Sequence, residues 1–81
     1  MQITIRLFAI LRERCGVGEV SLNLPPGATV AVARDEFLKT FPQSGDVMAR
    51  AAFAVNRSYA PAATPLHDGD EVAVIPPVSG G

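Results

Sequence analysis

The stretch Leu66-His67-Asp68-Gly69-Asp70-Glu71-Val72-Ala73-Val74-Ile75-Pro76-Pro77 contains a turn, a strand and a stop. Asp68-Gly69 signals the turn, because Asp can hydrogen-bond nearby backbone and Gly accepts a positive φ. From Glu71 to Ile75 the side chains alternate, with Val72 and Val74 on one side and Ala73 and Ile75 on the other. That period of two is a strand. Pro76 and Pro77 have no N–H to donate and cannot continue a central strand. The chain therefore divides into a domain over residues 1–75 and a C-terminal tail, 76–81, made of Pro76, Pro77, Val78, Ser79, Gly80 and Gly81.

Upstream of this stretch, Asn56 to Thr64 is irregular and punctuated by proline, with Tyr59 fitting a very short strand. Phe53 and Val55 mark another strand. Thr29 can cap a helix whose Val30, Ala33, Phe37 and Phe41 fall on one stripe. Val32 sits where a capping box would carry Glu or Gln, so the cap is partial. Pro42 stops this helix. Nearer the N-terminus, Val20, Leu22 and Leu24 alternate with polar residues as a strand, after a short helical turn from Ala9 to Cys15 closed by Gly16. Gln2 to Phe8 is the first strand, with Ile3, Ile5 and Leu7 facing one way and Thr4, Arg6 and Phe8 the other.

The order is strand, short helix, strand, long helix, then strands, which reads as an α+β domain with one sheet and one main helix. One helix covers one sheet face. The opposite face collects Thr4, Arg6, Phe8, Ser21, Asn23, Ala52, Ala54, Ala73 and Ile75, mostly small or polar apart from Phe8 and Ile75. Should the first and last strands lie side by side and parallel, Phe8 and Ile75 meet at the end of the sheet where the tail leaves. An apolar pair at that place is a docking patch.

Composition narrows the function classes. At 81 residues the chain is one small domain, with little volume to enclose a substrate. Apolar residues are 48% and charged residues 19%, a globular mixture. The net charge of −1 and the scattered Lys and Arg argue against nucleic acid or an anionic membrane as partner. A single cysteine, Cys15, excludes an intramolecular disulfide and suggests a reducing, cytoplasmic compartment. No export signal and no long apolar run is legible, so neither export nor membrane spanning is expected.

The stretches LFAILRE (7–13), AVN (54–56), LHDGDEVAVIPP (66–77) and PPVSGG (76–81) resemble the small, sulfur-carrier subunit of molybdopterin synthase, the MoaD family, nearly end to end. The resemblance implies a β-grasp, ubiquitin-like fold with the first and last strands adjacent and parallel. It further implies that Gly81 is adenylated by a MoeB-like activating enzyme using ATP and Mg, then converted to a thiocarboxylate. The charged subunit would dock on the large subunit, MoaE, in a heterotetramer, insert its tail and pass sulfur to cyclic pyranopterin monophosphate. Carried over by position, the contacts with the large subunit fall on Phe8, Tyr59 and Ile75. Val74-Ile75 stands where some relatives have an aromatic pair, implying a smaller contact, and Tyr59 where an aliphatic residue can occur.

The tail suits that chemistry. A terminal carboxylate, with a pKa of about 3.3–3.7, is an anion at neutral pH and a poor electrophile until it is activated. Glycine at both last positions leaves the attacked carbon uncrowded and the tail narrow. The Pro-Pro base limits the entropy lost on insertion. Six residues reach at most about 20 Å. A thiamine-pathway carrier, a protein modifier conjugated through Gly81, and an interaction module with an idle tail are the rival readings.

Other residues read as structural. Cys15 fits a small packed hydrophobe, and His67 an exposed neighbour of the turn. Asp68, Asp70 and Glu71 lack the full pattern of a calcium loop and read as turn chemistry. Arg34, Asp35, Glu36 and Lys39 fit a solvated helix face. No metal-ligand spacing, nucleophile–base pair or phosphate-cradling loop is present, so no bound cofactor or metal is expected.

Overall fold

The computed structural model describes residues 1–77; Val78, Ser79, Gly80 and Gly81, four of the six expected tail residues, lie outside them. The apolar alternation at the N-terminus forms β1 (Gln2–Leu7), with Ile3, Ile5 and Leu7 almost fully buried. The strand stops one residue earlier than expected. Phe8 keeps an extended backbone, but Ala9 turns to φ +51° and opens α1 (Ala9–Cys15), taking Phe8 out of the ladder. Gly16, at φ +75°, ends α1 by giving its N–H to the Arg12 carbonyl, a left-handed cap that glycine adopts without a Cβ clash.

The remaining elements are β2 (Glu19–Asn23), α2 (Val30–Thr40), a 3₁₀ turn (Pro42–Ser44), α3 (Gly45–Met48), β3 (Ala52–Val55), β4 (Ser58–Tyr59) and β5 (Glu71–Ile75). They form a five-stranded mixed sheet in the order β2-β1-β5-β3-β4. β1 pairs antiparallel with β2 and parallel with β5, from Thr4↔Glu71 to Leu7↔Val74. β3 runs antiparallel to both β5 and β4. Asn56 and Arg57, both at positive φ, make the two-residue β3–β4 turn, whose twist matches that of the paired strands.

One sheet face packs on α2. Ile5, Leu7, Phe53, Val72 and Val74 meet Val30, Ala33 and Phe37 in one buried cluster, joined by Leu11 of α1. Phe37 is fully buried, its ring stacked on that of Phe41 at 4.9 Å between centroids. Each large apolar side chain buried this way stabilises the fold by about 1.5–3 kcal/mol. Val47 and Met48 of α3 also enter the core, a contribution the irregular sequence over residues 43–50 does not announce. The N-terminus of α2 is closed from two sides. Thr29 Oγ1 accepts the Val32 N–H at 3.4 Å, while Val30 and Ala31 donate to the carbonyls of Thr64 and Ala62 at 3.0 and 2.9 Å. The irregular segment after β4 thus satisfies helix donors that would otherwise be orphaned.

Candidate functional site

The parallel β1–β5 pairing decides where the chain leaves the domain. Both strands end on the same side, so Pro76 and Pro77 depart beside the start of α1. Continuing the register by one position sets Phe8 level with Ile75, and Ile75 is itself the partner of Ala52 across β5–β3. Phe8 is 43% exposed and Ile75 half-buried. The face away from α2 also carries the row Arg6, Ala73, Ala54 and Tyr59 across β1, β5, β3 and β4. Tyr59 is 78% exposed.

Of the expected contact residues, Phe8 and Ile75 therefore share the exit end near the middle of the sheet, whereas Tyr59 lies on its β4 edge. Arg6, in the row of Tyr59, stands three strand spacings from it, about 14 Å at ~4.8 Å each, and Phe8 lies two residues further toward the exit end. The three residues span a surface and are not one contact point. Pro76 and Pro77 lie at its rim; the expected roles of Val78, Ser79, Gly80 and Gly81 fall outside the described residues.

At the other end of the sheet, three side chains and two backbone segments fix the start of β5. Asp68 Oδ1 accepts the Gln2 N–H at 2.7 Å, Gly69 donates to the Gln2 carbonyl at 2.8 Å, and Thr4 donates to the Asp70 carbonyl at 3.0 Å. Asn56 donates to Asp70 Oδ1 at 2.9 Å and accepts the Glu71 N–H at 3.0 Å. The His67 N–H bonded to Asp70 Oδ2, and then the Asn56 amide, hold the Asp70 carboxyl below its ordinary range. The turn chemistry expected of Asp68 and Asp70 is what the structure shows. The part played by Asn56 is new; its signal in the sequence is an Asn at a two-residue hairpin, a residue that tolerates positive φ.

Cys15 is half-buried against the core. Burial pushes its thiol up, and a hydrogen bond with Ser44 opposes this less strongly. His67 is exposed, as expected. Glu36 and Lys39 form an exposed pair at 2.8 Å. Arg34 departs from the solvated face expected of it: it is half-buried and lines an open groove of about 430 Å³ beside β3, with Ala51, Ala52, Phe53, Tyr59 and Ala62. Among the described residues no three His, Cys, Asp or Glu side chains gather as a metal ion requires, and no helix is long and apolar enough to cross a membrane.

A mixed sheet clasping one main helix, with β1 and β5 parallel at its centre, defines the ubiquitin-like β-grasp class. Among solved structures, SAMP1 of Haloferax volcanii superposes with a TM-score of 0.91 at 29% identity, over 100% of both chains. The model of the ThiS family matches residues 5–81, and the chain belongs to that family. It is 40% identical to the molybdopterin synthase sulfur carrier subunit of Chlamydomonas reinhardtii, over 100% of both chains. It is 36% identical to the subunit of that name from Arabidopsis thaliana, over 100% of this chain and 84% of the relative. The expected fold and family resemblance are both borne out.

Proposed function

We propose that this chain is the sulfur carrier subunit of molybdopterin synthase. The observation that carries the proposal is the parallel β1–β5 pairing, which starts a Pro-Pro-led tail beside Phe8 and Ile75 in a chain whose full-length relatives bear that name. The body, residues 1–75, supplies the docking face, and residues 76–81 supply the reach.

In this reading a carboxylate oxygen of Gly81 attacks the α-phosphate of Mg-bound ATP on an adenylating enzyme, and pyrophosphate leaves. Hydrosulfide from the sulfur source then adds to the acyl carbon and AMP departs, leaving a thiocarboxylate. The charged tail enters the large subunit of a heterotetramer and gives its sulfur to cyclic pyranopterin monophosphate, water replacing that sulfur at the acyl carbon so that Gly81 returns to a carboxylate. The body takes no part in the bond-making steps. It positions the tail, and Ala52 and Ala73 beside Ile75 leave a surface that another protein can approach closely. A single half-buried cysteine suits a reducing, cytoplasmic setting.

The test is to incubate the protein with ATP, the adenylating enzyme and a sulfur source and weigh it intact. Replacement of one oxygen by sulfur at the terminus is expected; an unchanged mass overturns the proposal. The likeness to the small archaeal modifier protein of Haloferax volcanii favours a second reading, attachment of Gly81 to lysines of other proteins. Higher-mass adducts in cell extract, without terminal sulfur, would select it.

A further inference from the structure

The two edges of the sheet are unlike. β4, at one end of the order, pairs with Ala54 and Val55, and its ladder stops at Pro61, which has no N–H to donate. β2, at the other end, is five residues long and carries no proline, lysine or bulge to blunt it. The bonds at its two ends show which way its backbone groups point. Leu7 donates to the Gly18 carbonyl at 2.9 Å, while Met1 and Leu24 exchange bonds of 2.7 and 2.8 Å. With Ile3↔Leu22 and Ile5↔Val20 between them, the alternation of an antiparallel ladder turns Gly18, Val20, Leu22 and Leu24 toward β1. Glu19, Ser21 and Asn23 therefore turn their N–H and C=O groups outward, and among the described residues these groups have no partner.

This edge is complementary to itself. Set antiparallel to a second copy about a two-fold axis at Ser21, it pairs Ser21 with Ser21, Glu19 with Asn23 and Asn23 with Glu19, and each such pair exchanges two N–H···O bonds. This register uses all three outward residues of both strands. It also keeps the only charge of the strand, Glu19, opposite the neutral amide of Asn23, with the two carboxylates about 14 Å apart. Val20 and Leu22 lie on the α2 side of the sheet, beside Ile5 and Ile3, and Val20 of one copy meets Leu22 of the other across the closer, non-hydrogen-bonded pair. Both side chains are half-buried in a single copy, so the pairing covers apolar surface that the domain leaves open. A net charge of −1 opposes the approach only weakly.

We propose that the β2 edge is a self-association surface, through which two copies of this chain join their sheets by antiparallel pairing of Glu19–Asn23. The contact is one strand wide, so the dimer is transient rather than obligate. β1 stands between β2 and β5, so the exit of the chain at the end of β5 stays open in both copies. Pairing closes an unprotected strand edge to unrelated strands. The proposal goes beyond the carrier reading and does not depend on it.

The experiment follows the full-length chain by sedimentation equilibrium and backbone amide exchange up to about 1 mM, at low and high salt. The wild-type chain is expected to pass from monomer to dimer over this range, and the amides of Glu19, Ser21 and Asn23 to exchange more slowly as it does. Ser21→Lys, at an exposed position, sets two like charges face to face on the axis and is expected to weaken the dimer about fivefold. Asn23→Lys places a lysine opposite Glu19 of the other copy at both ends of the pairing. It is expected to tighten the dimer by about the same factor at low salt, with the gain lost at high salt. Where Ser21→Lys loses stability, Asn23→Lys decides the register by itself. A chain that stays monomeric at about 1 mM overturns the proposal, as does a dimer that neither variant alters or one in which those three amides exchange freely. A monomeric chain whose β2 amides are protected only by an extended peptide of another protein assigns the edge to that partner and likewise overturns it. Sulfur loading is measured on the same samples: its absence removes the carrier reading and leaves the edge proposal standing, and loading by a strictly monomeric chain does the reverse.

Discussion

Asn56 and Asp70, fourteen residues apart, are joined side chain to side chain at 2.9 Å, and the same Asn56 amide accepts the Glu71 N–H at 3.0 Å. One residue of the β3–β4 turn thus pins the first residue of β5. Asn56→Ala removes both bonds and places alanine at φ +48°, a conformation asparagine tolerates better. A loss of about 1–3 kcal/mol in denaturant unfolding is expected. Asn56→Asp should recover part of the backbone bond to Glu71 but set a second carboxylate against Asp70.

Acid dependence follows from the same clamp. The Asp70 carboxyl titrates below its unfolded value because the His67 N–H and the Asn56 amide favour its anion. Its contribution to stability is therefore fully present above the ordinary carboxylate pKa of about 3.9 and is lost as pH falls through the lowered folded value. Unfolding followed from neutral pH into the acid range should show this loss, and Asp70→Asn should make the decline shallower.

Gly81 is the proposed reacting residue, and the buried cluster is built from positions between Ile3 and Val74. Deleting Gly81, or adding one residue after it, should abolish sulfur transfer to the pterin while leaving the melting temperature unchanged. Transfer surviving either change would refute the terminal mechanism.

Phe8 is well exposed at the exit end. Phe8→Ala should weaken large-subunit binding about tenfold, the scale of an interface anchor, with little effect on unfolding. Phe37→Ala provides the contrast. Its ring is fully buried and stacked on Phe41, so a loss of about 3–5 kcal/mol in stability is expected.

Cys15 packs against the core with its thiol pushed up, so little thiolate exists at neutral pH. Cys15→Ala should load sulfur at the wild-type rate, and alkylation of the native protein at neutral pH should be slow. Loss of loading in this variant would make the thiol part of the sulfur path.

Alternation and punctuation in the sequence determined most of the elements by themselves. Ile3-Ile5-Leu7 and Val72-Val74 read as half-buried strands, and Thr29 and Pro42 bracket α2, because side-chain period, capping and missing N–H groups act over a few residues. Residues 43–50 carry no such period, so α3 emerges only where Val47 and Met48 find the core. Partners distant in sequence were decided by the tertiary structure. The parallel β1–β5 register placed Phe8 and Ile75 together and set Tyr59 apart; the Asn56–Asp70 bond and the Arg34 groove required segments that no local pattern links. The exit beside Pro76 and Pro77 is thus local in its ending and tertiary in its surroundings: proline chemistry stops β5, while strand order chooses what stands beside it.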